Sequence, residues 1–358
     1  MSVVVCSRNG AGGVHRCLVA LRNQTIIPHL ELIVVDDGST DDTSDVARAD
    51  GATVIRHDRS RGVSAARNTG IRVADAPVVA FLDDDCEPDP TWAEKLLAAY
   101  EHDAVLAVGG PLSVREPIGT LLNYLARNNP LDPQEADLER SGRIPYRFWL
   151  YIRRQWDPVR RTGLRKVYSF PSANMSVRRH ALIAVGGFDE RIRFGSEDED
   201  LCRRLLRAFP ECCLIFEPDA QAVHHFRRSI RDTLRRSRAY GRGSALMYRK
   251  WPGVRLTFFP FPVAVLAVVA LSFRYPFLVA ADLLLPQLFY PRGLRSAISD
   301  RDPRCLLDAY LQLAQEACDD LGVIEGLWRF RHFAPEPSAG PVQPVEGNAR
   351  PDSDATAD

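Results

Sequence analysis

The sequence lacks a net charge: 46 Lys and Arg stand against 46 Asp and Glu over 358 residues. So balanced a chain exerts no global pull on a polyanion, and no nucleic-acid partner is expected. The eight cysteines include no CxxC pair and no metal-finger spacing, and Cys212 and Cys213 are adjacent, which suits joint ligation poorly. They read as reduced thiols of a cytosolic protein. No leader pattern precedes the first strand-like run, Ser2-Val3-Val4-Val5-Cys6-Ser7-Arg8-Asn9, so the catalytic part is expected to stay in the cytoplasm. No apolar run comfortably reaches the roughly 20 residues that span a bilayer. Leu256 to Phe273 holds 18 residues without a charge, and Tyr275 to Tyr290 is broken by Asp282 and Gln287, with prolines in both.

What is present is a globular composition, 46% hydrophobic and 26% charged, with length for one large domain and an appendage. The balanced charge is unevenly spread. Arg140 to Arg179 contains a single acid, Asp157, and Arg227 to Lys250 is similarly basic around Asp232.

Short β-branched runs alternate with amphipathic segments. Val3 to Cys6, Leu32 to Asp36, Ala52 to Arg56, Val78 to Leu82 and Ala104 to Gly109 read as strands. Val14 to Leu21, Thr43 to Ala49, Ser64 to Ala74 and Trp92 to Tyr100 read as helices. This βαβ rhythm predicts a mainly parallel sheet covered on both faces, with ligands at the carboxyl ends of the strands. Those ends carry Cys6-Ser7-Arg8-Asn9, Asp36-Asp37-Gly38-Ser39 and Asp83-Asp84-Asp85. If the last run continues its strand, Asp83 and Asp85 face one side and Asp84 the other. Three adjacent carboxylates repel unless a cation joins them, and a hard divalent cation held by carboxylates commonly binds a phosphate as well.

The segments "VVVCSRN", "ELIVVDDGSTDDT", "GVSAARNTGI", "VVAFLDDDCEPDPTW" and "SANMSVRRHALIAVGGFDERIRFGSEDEDLCRRL", in this order, resemble the family 2 glycosyltransferases, inverting enzymes of the Rossmann-like GT-A fold. The resemblance covers residues 1–225 and implies a nucleotide-diphosphate sugar donor with Mg²⁺ or Mn²⁺. By position, it implies that Cys6, Ser7 and Arg8 line the base and ribose pocket. Asp37 would take the nucleobase edge with Asp36 beside it, Arg67 would lie near the nucleotide, and Asp84 would reach the ribose. Asp83 and Asp85 would form the metal-binding pair. In "GSEDEDLCRRL" the base is Asp198, with Glu197 adjacent and Asp200 supporting, although Glu199-Asp200 repeats the pattern. Gly186-Gly187 would form the turn before the base loop, and Ser172-Ala173-Asn174 an acceptor-side strand. The family places a metal- or diphosphate-contacting histidine near position 224, and His224 is preferred to His225. The aromatic cluster Tyr146, Phe148, Trp149, Tyr151 and Trp156 lies where the family varies and suits either a sugar or a core. The QxxRW motif of processive relatives is missing, which favours transfer of a single sugar to a lipid-linked or cell-envelope glycan acceptor.

After the catalytic unit the sequence predicts a basic helical linker at 226–255, a hydrophobic hairpin at 256–292 lying in or against the membrane, and an amphipathic helical region at 293–334. Its apolar face would be Leu306, Leu307, Ala314, Ala317, Leu321 and Ile324. A disordered Pro- and Gly-rich tail follows at 335–358. Together these place the enzyme at the cytoplasmic face of the plasma membrane, with the basic block against anionic lipid. Two alternatives remain: a sugar-phosphate nucleotidyltransferase, whose Gly-rich loop "RNGAGG" matches only superficially, and an inactive membrane-bound scaffold, against which every expected carboxylate is present.

Overall fold

A computed structural model describes residues 1–336 apart from 116, 130, 132–133, 136–143, 157–163, 193–194, 227–228 and 257. The expected strands form where valine and isoleucine alternate across a pleat. β1 (Ser2–Ser7), β2 (Glu31–Asp36), β3 (Thr53–Arg56) and β4 (Val78–Asp83) are parallel neighbours in the order β3-β2-β1-β4. Val3, Val5 and Leu82 point into one apolar layer with Leu18 and Leu21 of α1 (Ala11–Arg22) and Trp92 and Leu96 of α4 (Trp92–Ala98). Val4, Ile33 and Phe81 point into the opposite layer with Ala66 and Ile71 of α3 (Val63–Val73) and Leu201 and Leu205 of α8 (Glu197–Ala208). Each face of the sheet is thereby sealed, and the carboxyl ends remain the open edge.

The sheet continues with a change of direction. β10 (Asn174–Arg178) lies antiparallel between β4 and β6 (Val105–Gly109), and β11 (Cys213–Phe216), β9 (Arg165–Ser169) and β8 (Gln134–Glu135) complete nine strands among the described residues. A small second sheet of β5 (Cys86–Pro88), β12 (Ala222–His224) and β7 (Leu112–Val114) sits beyond the end of β4, where it sets His224 opposite Cys86. The mainly parallel expectation thus holds for the first four strands, and the whole sheet is mixed.

The second half of the chain is helical: α9 (Ile230–Lys250), α10 (Pro260–Ser272), α11 (Val279–Phe289), α12 (Pro291–Ser299) and α13 (Asp308–Arg329). The hydrophobic stretch does form a hairpin, α10 and α11, with Pro286 inside the second helix. At 13 residues α10 is about 20 Å long, against a hydrocarbon core of about 30 Å. No helix among the described residues is long and apolar enough to cross a membrane.

The expected apolar face of α13 needs correcting. Leu306, Leu307, Leu321 and Ile324 are exposed, while Asp308, Glu316, Asp320, Gly322, Val323 and Gly326 are buried. Two contacts reverse the helix. A Cβ at Gly322 would overlap the Arg238 carbonyl of α9, and one at Gly241 of α9 would overlap the Asp319 carbonyl, so α9 and α13 approach backbone to backbone. The buried acids have their own partners: Asp308 accepts from Arg127 at 2.7 and 3.0 Å, and Glu316 from Tyr151 and Tyr290 at 2.7 and 2.6 Å. Hydrogen bonding and backbone proximity therefore outweigh periodicity here. Of the stretch expected to be disordered, Glu336 donates its backbone N–H to the Lys250 carbonyl at 2.6 Å, and residues 337–358 lie outside the described residues.

Candidate active site

The Asp83-Asp84-Asp85 run does not continue its strand. β4 ends at Asp83, and Asp84 and Asp85 make a turn into β5. The three carboxylates consequently diverge. Asp83 Oδ1 accepts from Arg67 Nη2 at 3.1 Å. Asp84 turns back and accepts from the Ser7 hydroxyl. Asp85 Oδ1 stands 3.5 Å from His224 Nε2. Burial, then the neighbouring aspartates, pushes Asp84 up to about 7, with Ser7 opposing; burial and Asp83 push Asp85 up to about 6. The glycines after β1 have a defined task. A Cβ at Gly10 would strike the Asp84 carboxylate, and one at Gly13 would come within 2.8 Å of the Asp84 carbonyl. The loop "RNGAGG" is therefore a seat for the aspartate turn.

His224 is buried, and burial lowers its imidazole to about 4, leaving a neutral ring with a lone pair to give; its Nδ1 has no partner among the described residues. His225 is engaged elsewhere, with Nε2 2.6 Å from Glu87. Of the two histidines, His224 is therefore the one beside Asp85. Asp85, Cys86 and His224 offer ligand atoms within 4.8 Å of one another. Cys86 was not anticipated as part of this cluster; burial raises its thiol well above the usual range, so it stands there neutral.

The other half of the site comes from the start of α8. Ser196 precedes the helix with φ 67°, after Gly195 at φ 83°, and this left-handed pair aims the first turn inward. Asp198 is half-buried, with Oδ1 accepting from Glu199 N at 2.8 Å and Oδ2 from Ser172 N at 3.3 Å. Burial, then the Glu197 charge, pushes Asp198 up to about 7. Asp200 is fully buried and spent: it accepts from Arg204 and Trp251 at 2.9 Å each and pairs with Lys250 at 2.6 Å. The two members of the repeated Glu-Asp pair thus differ in surroundings: Asp198 is half-buried and bonded to backbone N–H groups, and Asp200 is fully buried among Arg204, Trp251 and Lys250.

Arg67 joins the two halves. It is no surface residue: 4% exposed, it donates to Asp83 and, at 3.0 Å, to Glu197 Oε1, with its guanidinium 5.3 Å from the Phe188 ring centroid. The second oxygen of Glu197 is buried without a partner among the described residues.

Other expected residues sit nearby with different occupations. Asp37 is buried and accepts from His57 Nδ1, Ser60 Oγ, Arg61 N and Gly62 N at 2.7 to 2.9 Å. Burial raises its pKa, these four bonds more than offset that, and it ends below the usual range. Its oxygens hold the 57–62 loop. Asp36 is likewise spent on Ser39 N and the Ser44 hydroxyl. Cys6 lies beside Asp83 in register on β1 with its thiol pushed by burial to about 12, and Ser7 is tied to Asp84. Arg8 is exposed at the rim and makes no hydrogen bond or ion pair among the described residues. Of the aromatic cluster, on α6 (Ile144–Trp156), Tyr151 packs on Phe261 with ring centroids 5.3 Å apart, while Tyr146 and Trp149 stack in the open at 5.8 Å.

The chain is similar to known glycosyltransferases. The "Glycosyl transferase family 2" model matches residues 2–156 and the "Glycosyl transferase family group 2" model residues 153–291. The pre-mycofactocin glycosyltransferase of Mycobacterium tuberculosis is 32% identical over 70% of this chain and 48% of its own length. The validoxylamine A glucosyltransferase of Streptomyces hygroscopicus is 32% identical over 57% of this chain and 51% of its own. The chain thus spans about half the length of the curated relatives it matches. A mannosyltransferase from Pyrobaculum calidifontis, solved with GDP-Man and Mn²⁺, superposes with a TM-score of 0.55 at 19% identity, covering 92% of this chain and 87% of that one, and shows the GT-A fold.

Proposed function

The chain belongs to glycosyltransferase family 2, and from that membership we propose that it moves a single sugar, with inversion, from a nucleotide-diphosphate sugar to a hydroxyl of a lipid-linked or cell-envelope glycan acceptor. The observation that carries the reading is the pairing across Arg67 of two acidic groups in different electrostatic states: Asp83 and Asp85 beside a neutral His224, and Asp198 raised to about 7 at the head of α8.

Two carboxylates and a neutral imidazole suit Mg²⁺ or Mn²⁺, and the unpartnered nitrogen of the buried His224 ring fits a donor awaiting a ligand. Asp83, Asp85 and His224 would hold the ion, which when bound neutralises the diphosphate as a Lewis acid. The chain's own residues do the rest. Asp198 accepts the proton of the attacking hydroxyl, and a base whose pKa lies near 7 is matched to that task at neutral pH. Arg67 fixes Glu197 and Asp83 at a set separation, so that base and donor face each other across the sugar.

The acceptor assignment rests on the hairpin. Phe273 and Phe277 at its bend are 87% and 75% exposed, and Val263, Leu266, Leu283, Leu284 and Leu288 expose apolar side chains along it. A pair of helices too short to span, with aromatics at the bend, suits insertion into one leaflet, here the cytoplasmic face of the plasma membrane. The basic block is no uniform lipid-facing surface, however: Lys250 is buried, Arg238 and Arg242 pair with Glu325, and Arg227 lies outside the described residues. A second acceptor, pre-mycofactocin, is favoured by the relative of that name.

Screening nucleoside diphosphates for thermal stabilisation with Mn²⁺ identifies the donor, since a ligand of the native state raises the midpoint. Transfer from that donor to isoprenyl-phosphate glycans and to pre-mycofactocin then separates the two acceptors. The reading expects transfer to depend on added metal and to be abolished by Asp85→Ala without loss of fold. Undiminished transfer by that variant refutes the metal assignment.

A further inference from the structure

Two arginines of α9 make no ion pair or hydrogen bond among the described residues, Arg231 in the open and Arg236 half-buried. Arg235 pairs with Asp232, Arg238 and Arg242 pair with Glu325, and Arg249 donates to the Leu327 carbonyl. The Arg236 guanidinium lies 6.0 Å from the Phe226 ring centroid, the Phe226 ring sits 4.2 Å from the His224 ring, and His224 faces Asp85 at 3.5 Å. Arg236 also lines a small cavity with Phe226, Thr233, Ser237, Tyr240 and Asp232, the last of which is ion-paired to Arg235 at 3.9 Å. Its charge opposes the rise in the Asp85 pKa and deepens the fall in that of His224. Tyr240, one turn further along α9, feels both Arg236 and the charges of Asp198, Glu197 and Asp83. Beyond it, Gly195 and Ser196 of the base loop pack on Ala239 and Gly243. The inner face of α9 thus runs from the metal-side cluster to the base loop and carries an uncommitted cation along the way.

A half-buried guanidinium with no carboxylate partner, near a cluster of acids, is costly unless an anion completes it. We propose that Arg236 is the seat of the leaving diphosphate, with the Tyr240 hydroxyl as a second donor. The proposal rests on the glycosyl-transfer reading. In the transfer the acceptor oxygen bonds to the anomeric carbon and its proton passes to Asp198. The bond from that carbon to the β-phosphate oxygen breaks with both electrons going to the phosphate. Arg236 meets the negative charge that develops there, where a preformed donor acts most strongly. Its five fixed N–H groups suit phosphate oxygens in a way that a lysine ammonium does not reproduce.

The test is calorimetric binding of Mn²⁺ alone, Mn²⁺-pyrophosphate and farnesyl monophosphate to the full chain and to Arg236→Gln, Arg236→Lys and Tyr240→Phe. Loss of a charge-assisted hydrogen bond predicts that Arg236→Gln weakens Mn²⁺-pyrophosphate about 10- to 100-fold, with Arg236→Lys and Tyr240→Phe in between. Binding of Mn²⁺ alone should be unchanged or tighter in Arg236→Gln, because a repelling cation has gone; a variant damaged in its fold would lose both. Equal pyrophosphate affinity in wild type and Arg236→Gln overturns the proposal, as does failure of the wild type to bind it. A selective loss of farnesyl monophosphate also overturns it and reassigns the cation to an acceptor phosphate. Because none of these readings uses turnover, a protein that binds Mn²⁺-pyrophosphate through Arg236 yet transfers no sugar would refute the proposed function and leave this site standing.

Discussion

The two halves of the chain treat acidic residues in opposite ways. In the sheet half, acids gather at strand ends and at the head of α8, facing a cleft and one another, with Arg67 between them. In the helical half, acids are driven inward and hydrogen-bonded, as Glu316 is to Tyr151 and Tyr290, while leucines and phenylalanines are left outside. The sheet half holds buried acids of both kinds, since Asp36, Asp37 and Asp200 are consumed in packing while Glu197 keeps a buried oxygen without a partner among the described residues. Burial alone therefore does not mark a functional carboxylate. What distinguishes the two is whether its oxygens are already committed.

The sharpest break in that comparison lies within one helix turn. Asp198→Asn should lower the turnover rate by about 10²–10⁴ with donor affinity retained, because an amide accepts no proton at neutral pH. Asp200→Asn should instead lower the unfolding midpoint, since it disturbs Lys250, Arg204 and Trp251. With Asp198 raised to about 7, the wild-type rate should climb with pH through about 7 and level off above it. A profile flat from pH 5 to 9 removes Asp198 as the base.

Next in size is Lys250→Met. Lys250 is 1% exposed and pairs at 2.6 Å with both Asp189 and Asp200, which keep Arg191 and Arg204 as partners, so its removal should cost about 1.5–3 kcal/mol of stability by denaturant unfolding. A loss below about 1 kcal/mol would place those acids in water.

Glu316 sharpens the comparison through pH. Burial, only partly opposed by its hydrogen bonds, raises its folded pKa to about 7, above the unfolded value of about 4.3. The folded chain therefore holds more protons between those values. The stabilisation is complete below the unfolded pKa and is lost as pH rises through about 7. Glu316→Gln should flatten that decline in the unfolding midpoint between pH 5 and pH 8, and an unaltered slope would assign it to other groups.

The smallest effect falls where periodicity alone predicts a large one. Leu321→Ser with Ile324→Ser should change stability by no more than about 0.5 kcal/mol per site, as at other exposed positions. If the exposed apolar side chains meet lipid, the same pair lowers sedimentation with anionic vesicles. A large stability loss would restore the apolar face that the sequence suggests.

These contrasts explain what could be read in advance. The first four strands were legible because alternation over a two-sided sheet is a local signal, and the polar strand ends followed from them. The Asp198 position was legible through its resemblance, but its separation from Asp200 depended on Lys250 and Trp251, some fifty residues later. Arg67 was noticed without its function, because its partner Glu197 lies 130 residues away. Gly10 and Gly13 did carry a signal: glycines after a strand, ahead of a helix and without a phosphate-loop pattern, suggest close approach by another part of the chain. For α13 the local signal was misleading, since backbone contact at Gly241 and Gly322 and hydrogen bonds to Glu316 outweigh amphipathicity.

The position of Lys250 also has a bearing on the order in which the protein is made. A ribosome delivers Asp189 61 residues, and Asp200 somewhat fewer, before the lysine that pairs with both, at about 5–20 residues per second. Until then each acid has only its local arginine, Arg191 for Asp189 and Arg204 for Asp200, and nothing joins the two. The Gly195-Ser196 turn that leads into Asp198 packs on α9, so that end of the site should settle only when α9 has emerged, after the strand ends are already built.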